Sequence, residues 1–174
     1  SFIAPLTHLG LIAATGEDAP TFLHNQLTND VQSLGLSEAR LAGYCTPKGR
    51  LLATMLLWKT ADAIFLQLPR EIQPAVQKRL QMFILRAKAK LADASDLAPA
   101  ATAAWRALDI EAGIPQVVQA TQEQFVPQMI NFEVLGGVNF RKGCYPGQEI
   151  VARSQYLGKL KRRMLPAQVA ATGV

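Results

Sequence analysis

The chain has 174 residues, 49% of them hydrophobic and 18% charged, with a formal net charge of +5. That composition suits one domain or two packed lobes around a real core and excludes a disordered polyelectrolyte. No apolar run approaches the roughly 20 residues of a membrane-spanning helix, and Ser1-Phe2-Ile3-Ala4-Pro5-Leu6 lacks the basic flank and long apolar stretch of a signal peptide.

Residues 9–14 are apolar and short, bounded by Gly10 and the turn signal Thr15-Gly16-Glu17-Asp18, which predicts a strand. Asp18 is placed to cap a helix running to residue 27, with Phe22, Leu23 and Leu27 at helical spacing and Thr28-Asn29-Asp30 ending it. Residues 41–46 and 50–58 flank Pro47-Lys48-Gly49, a hairpin signal, and residues 64–68 read as the third strand of the same meander. Residues 70–85 carry Ile72, Val76, Leu80, Phe83 and Ile84 on one helical face. The alternation of Ala87-Lys88-Ala89-Lys90-Leu91 returns the chain as a strand. This β-α-β-β-β-α-β order predicts an α+β sheet with helices on one face.

The alanine-rich stretch 91–104 marks a boundary between a first lobe, residues 1–97, and a second, residues 98–174. Residues 100–112 read as a helix containing Trp105, Leu108 and Ile110, closed by Gly113-Ile114-Pro115. Phe125-Val126-Pro127-Gln128 and Leu135-Gly136-Gly137-Val138 read as loops, and the run that follows Cys144 reads as a helix.

The strongest chemical signal is Lys142-Gly143-Cys144-Tyr145-Pro146-Gly147-Gln148-Glu149, followed by Ile150-Val151-Ala152-Arg153. A thiol beside glycine and lysine, just ahead of a helix, sits in positive potential that favours the thiolate. The plainer reading of Cys144 is a small buried hydrophobe; Lys142, Gly143 and Gly147 favour the functional one. Cys45 and Cys144 are the only cysteines, and without a secretion signal they read as reduced thiols of a cytoplasmic protein. His8 and His24, the only histidines, carry no motif that would pair them with Cys144, and no pair among these four residues has zinc-ligand spacing, so no metal site is predicted.

Trp105-Arg106-Ala107-Leu108-Asp109-Ile110-Glu111-Ala112-Gly113 is the second constellation. Glu111 falls at a helix end beside a glycine that admits a ligand. A carboxylate accepts two parallel N–H donors, the pattern a pterin ring presents, and Trp105 offers a flat apolar wall. The plainer reading is a surface glutamate and a core tryptophan. Gly-x-Gly-x-x-Gly and Walker-type phosphate loops are absent.

Charge is concentrated near the end. Arg141, Lys142, Arg153, Lys159, Lys161, Arg162 and Arg163 stand against one acid, Glu149, so residues 141–163 hold the chain's basic excess. Such a segment attracts a polyanion, tRNA or a polyglutamate tail, or serves simply as a solvated face.

The octapeptide at 142–149 resembles the signature of the YgfZ-type folate-binding proteins, relatives of the glycine-cleavage T-protein that act in iron–sulfur protein maintenance. The segments Ala107-Leu108-Asp109-Ile110-Glu111-Ala112-Gly113-Ile114-Pro115, Gln26-Leu27-Thr28-Asn29-Asp30-Val31 and Cys45-Thr46-Pro47-Lys48-Gly49-Arg50 are similar to further family motifs in the same order. The resemblance implies a T-protein-like (aminomethyltransferase-like) α+β fold with a cavity for tetrahydrofolate. It implies that Cys144 is the functional thiol near that cavity, with Lys142, Gln148 and Arg153 beside it. Trp105, Glu111, Leu9, Asp109 and Tyr145 form the implied cofactor-binding set; Leu9 stands where the family carries a stacking aromatic. It also implies iron–sulfur client proteins, tRNA-modifying enzymes included. Relatives carry a longer stretch before the Trp105 helix and a C-terminal β-barrel, neither of which this sequence contains.

Two other functions are consistent with the same residues. One is a folate-dependent aminomethyl-type transferase. Against it, T-protein enzymes carry an aspartate where this chain has Ala53 or Thr54, so the group expected to manage a proton at the folate nitrogen is missing. The other is a tRNA-binding module built on residues 141–163.

Overall fold

The computed structural model describes residues 3–5, 8–97, 100–102 and 105–167, with side chains over 8–97 and 108–167. A five-stranded antiparallel sheet organises them, in the spatial order β3 (Ala39–Cys45), β4 (Leu51–Lys59), β5 (Ile64–Pro69), β2 (Leu9–Thr15) and β6 (Lys90–Asp93). Strand β1 (Ile3–Pro5) pairs separately with β7 (Ala100–Thr102). The helices are α1 (Ala19–Gln26), α2 (Gln73–Gln81), α3 (Trp105–Glu111) and α4 (Gln148–Tyr156). Among the described residues no helix is long and apolar enough to cross a membrane.

Strand alternation gives the sheet two buried faces. Leu57, Leu66 and Ile12 lie in register across three strands. They pack with Phe22 and Leu23 of α1 and Val76 and Leu80 of α2 in the main core. Leu56, Gln67 and Leu11 are the adjacent register, on the opposite face. Beside them a second core gathers Cys45 and Leu51 with Val117, Ile130, Phe132, Val138 and Val151. The helices of the first half therefore cover one face, as expected, and residues 115–151 cover the other.

Four local expectations are corrected. Asp18 stands at the N-terminus of α1 but does not cap it; its carboxylate accepts the Lys88 N–H at 2.7 Å. Helix α2 stops at Gln81 rather than residue 85. From Met82 the chain tightens into i→i+3 turns, leaving Phe83 and Leu85 exposed, so that it can bring β6 against β2. Strand β6 begins at Lys90 because Lys88 is already held by Asp18. Residues 100–102 form a strand, not the start of a helix, because residues 3–5 offer them an edge.

The second half is fastened through the segment after α1. The Thr28 hydroxyl accepts the Gly43 N–H at 2.7 Å and donates to the Gly137 carbonyl at 2.6 Å. Asn29 Nδ2 donates to the carbonyls of Leu41 and Gly136, each at 2.7 Å. The Gly136-Gly137 turn hugs the buried Phe132 ring so closely that a Cβ on Gly137 would meet Phe132 Cε1 at 2.4 Å. Thr28→Val keeps the side-chain shape but orphans a buried amide and a buried carbonyl. Chemical denaturation is expected to show a loss of about 2–4 kcal/mol; a loss under about 0.5 kcal/mol contradicts the bridge.

Candidate functional site

The Cys144 loop is moulded onto the β3–β4 hairpin turn. Gly147, the residue before α4, has φ +81°, and a Cβ there would lie 2.4 Å from the Thr46 carbonyl oxygen and 2.6 Å from Gly49 Cα. Only glycine fits that conformation and that approach. Gln148 opens α4 and donates to the Lys142 carbonyl at 3.4 Å. Cys144 itself is exposed, whereas Cys45 is buried in the second core, where burial pushes its thiol up to about 12.

Lys142 does more than lend charge. Its ammonium donates to the carbonyls of His24 (2.6 Å), Leu27 (3.0 Å) and Gly143 (3.2 Å). It thereby satisfies carbonyls at the C-terminus of α1, the negative end of that helix's dipole. Burial pulls its pKa down to about 8, against the opposing pull of Asp30 and Cys144. The ammonium lies 4.7 Å from the centre of the Tyr145 ring. Tyr145 is buried, and burial, with Cys45 nearby, raises its phenol. Tyr145 thus supports the loop from beneath; it lines neither cavity described below. Arg153 lies in the last turn of α4, at the far end from the Cys144 loop.

The fold also brings His24 to this loop. Its Nδ1 sits 3.0 Å from Asp30 Oδ1, and its Nε2 would lie 4.0 Å from a Cβ on Gly143. Sequence reasoning missed the approach because His24 lies 118 positions before Lys142. Their only common signal was the Gln26–Val31 motif that delivers Asp30.

Two cavities flank the end of α3. The first, about 80 Å³, lies on the face of the sheet away from α1 and α2, between Leu9, Thr54, Gln67, Asp109, Ile114 and Pro115. It is too narrow for a bicyclic ring; ligand pockets are usually ~300–1,000 Å³. The second, about 500 Å³, is large enough, and is bounded by Glu111, Gly113, Ile114, Asn131, Val134 and Leu165. Gly113 turns the chain there with φ +67°. Glu111 is exposed at the rim. Trp105 begins α3, but its side chain falls outside the described residues. Leu9 is buried at the floor of the narrow cavity. Cys144 lines neither cavity. The predicted residues therefore fall into two groups, Leu9, Asp109 and Glu111 around cavities and Lys142, Cys144, Tyr145 and Gln148 in the loop.

Of Ala53 and Thr54, the two positions where a transferase is expected to carry an acid, Thr54 is committed. Its hydroxyl donates to the Pro115 carbonyl and accepts the Val117 N–H, both at 3.0 Å. Of the seven basic residues at 141–163, two act internally. Lys142 holds α1, and Arg163 pairs with Glu133. Arg141, Arg153, Lys159, Lys161 and Arg162 are exposed, as is Arg163 beside its partner.

No family model matches the chain. It is 28% identical to the tRNA-modifying protein YgfZ of Edwardsiella ictaluri over 232 aligned positions, covering 92% of this chain and 70% of that one. It is 30% identical to an uncharacterized protein of Haemophilus influenzae, covering 91% and 70%, and 29% identical to YgfZ of Cronobacter sakazakii, covering 88% and 67%. An alignment of 232 positions exceeds the 174 residues present, so the first relative carries internal residues that this sequence lacks. Among solved structures, the glycine cleavage system aminomethyltransferase T from Bartonella henselae matches with a TM-score of 0.50 at 19% identity, over 53% of this chain and 26% of that one. The chain thus has the T-protein-like α+β fold, without a C-terminal barrel among the described residues.

Two outcomes follow from the loop's geometry. Iodoacetamide under native conditions at pH 8 should modify Cys144 alone, with Cys45 reacting only after unfolding; peptide mass spectrometry reads the sites, and equal labelling of both contradicts the burial. The depressed pKa of Lys142 means that the native state binds fewer protons than the unfolded state between about 8 and the ordinary 10.5. Stability should therefore rise with pH across that window. Denaturation of wild type and Lys142→Met should show wild type gaining relative to the variant from pH 7 to 10; identical slopes contradict it.

Proposed function

The chain belongs to the YgfZ-type family, and on that premise we propose that it is a folate-binding accessory protein in the assembly or repair of iron–sulfur proteins, tRNA-modifying enzymes among them. The observation that carries the reading is the cavity of about 500 Å³ beside Glu111 at the end of α3. It has the size of a ligand pocket, largely apolar walls and one carboxylate at its rim. Glu111 accepts the paired N–H donors of a reduced pterin, Gly113 lets the ring approach the backbone, and Ile110, Val134 and Leu165 shield its faces. Bound tetrahydrofolate supplies a reduced ring able to carry one-carbon units or give up electrons.

Cys144 is the second element of the reading. The loop presents it to solvent on a rigid footing of Gly147, Gln148 and Lys142. Lys142 keeps a cation within electrostatic reach of the sulfur. That suits contact with a client protein or with a sulfur species that the client carries. A cytosolic setting keeps both thiols reduced.

Aminomethyl transfer is the weaker reading. Strand β4 holds no acid, and Thr54 is locked to the backbone on both sides. Turnover with glycine-cleavage components is accordingly expected to be undetectable.

Calorimetric titration of tetrahydrofolate monoglutamate tests the cofactor half. Binding to wild type should weaken about 10-fold or more in Glu111→Ala, and no binding to wild type overturns the reading. In a strain lacking the endogenous protein, the wild-type chain should restore iron–sulfur enzyme activity and Cys144→Ala should not. Full rescue by Cys144→Ala removes the thiol from the function.

A further inference from the structure

Three cavities lie side by side along one wall. Residues 158–167, just beyond α4, form that wall, and neighbouring cavities share residues. The inner cavity is the one beside Glu111, walled here by Met164, Leu165 and Pro166. The middle one, about 590 Å³, lies between Lys161, Arg162 and Met164 on this side and Val117, Phe125 and Ile130 on the other. The outer one, about 420 Å³, sets Lys159, Lys161 and Arg162 against Lys48 and Arg50 from the hairpin turn. Met164 borders the first two, and Met129, Lys161 and Arg162 border the second two.

The wall is pinned. Asn131 Nδ2 donates to the Met164 carbonyl at 2.8 Å, and Arg163 binds Asn131 Oδ1 and the Glu133 carboxylate. Arg163 is therefore neutralised, while Lys159, Lys161 and Arg162 stay exposed. Among the described residues Glu111 is the only acid lining any of the three cavities, and it sits at the inner end. Polarity thus runs from apolar with one acceptor, beside Glu111, to strongly cationic at the hairpin.

We infer that this trough seats the poly-γ-glutamyl tail of a reduced folate, with successive carboxylates against Lys161, Arg162, Lys159 and finally Lys48 and Arg50. The inference rests on the folate reading above and specifies which form of the cofactor the chain selects. A flat head with a string of carboxylates matches the gradient; Val126, Ile150 and Leu160 in the outer cavity suit the tail's methylenes. Single-stranded RNA matches less well, because among the described residues no aromatic side chain lines the outer cavity to stack a base.

The test compares tetrahydrofolate monoglutamate with its pentaglutamate by calorimetry at low salt, on the full chain. Pentaglutamate should bind about 10-fold or more tighter, and the gain should shrink as ionic strength rises. In the Lys159→Ala/Lys161→Ala/Arg162→Ala variant the pentaglutamate should fall to the monoglutamate's affinity. Lys48→Glu, on the separate hairpin wall, should reduce the gain with thermal unfolding unchanged. Equal affinities for the two forms overturn this inference and leave the folate reading standing. No binding of either form overturns both. An RNA oligonucleotide that binds through the same cations, with no gain from the tail, also overturns it.

Discussion

Two buried threonine hydroxyls hold the molecule's two halves in one arrangement. Thr28 joins the amide of Gly43 on β3 to the carbonyl of Gly137, and Thr54 on β4 joins the carbonyl of Pro115 to the amide of Val117. Each hydroxyl is used as donor and acceptor at once. In a buried setting such a bridge is strongly directional, since losing it leaves polar groups without water to replace their partner. The first bridge sets the approach to the Cys144 loop, and the second sets the turn that follows α3. Both candidate parts of the site therefore take their positions from the same sheet.

The Cys144 loop shows how one side chain can serve fold and chemistry together. Lys142 closes the end of α1 by filling its exposed carbonyls, which ties the loop to a helix more than a hundred residues earlier. Its partial burial costs charge stability, seen in its lowered pKa, and Cys144 and Asp30 both oppose that lowering. The ammonium's position is fixed by backbone carbonyls rather than by a flexible surface partner, so the field at the sulfur is built into the fold.

Much of this architecture was legible in local residues. The β3–β4 hairpin announced itself through Pro47-Lys48-Gly49, and Gly49 indeed takes φ +70°. Strands β2 and β5 and helix α1 lay close to where apolar spacing put them, and α4 follows the cysteine motif. The end of α2 was not legible, because Phe83 and Ile84 continue the helical spacing while the chain turns away to satisfy β6. The pairing of residues 3–5 with 100–102 is a contact between distant segments and has no local signature. The motif around Glu111 and the one around Cys144 were both visible, but not that separate surroundings hold them, since only packing decides which loops share a cavity. The basic segment read as a uniform patch. In the fold two of its cations are internal ties, and three join Lys48 and Arg50 across a cleft.

We propose that a reduced folate rests at the end of α3, in the hollow bounded by Glu111, Asn131 and Leu165. Hydrogen–deuterium exchange with and without tetrahydrofolate measures it most directly. Exchange is expected to slow on binding in residues 110–116, 131–135 and 164–167, with α2 unchanged. Protection confined to α2 or the β4–β5 turn, or no change anywhere at saturating ligand, would contradict it.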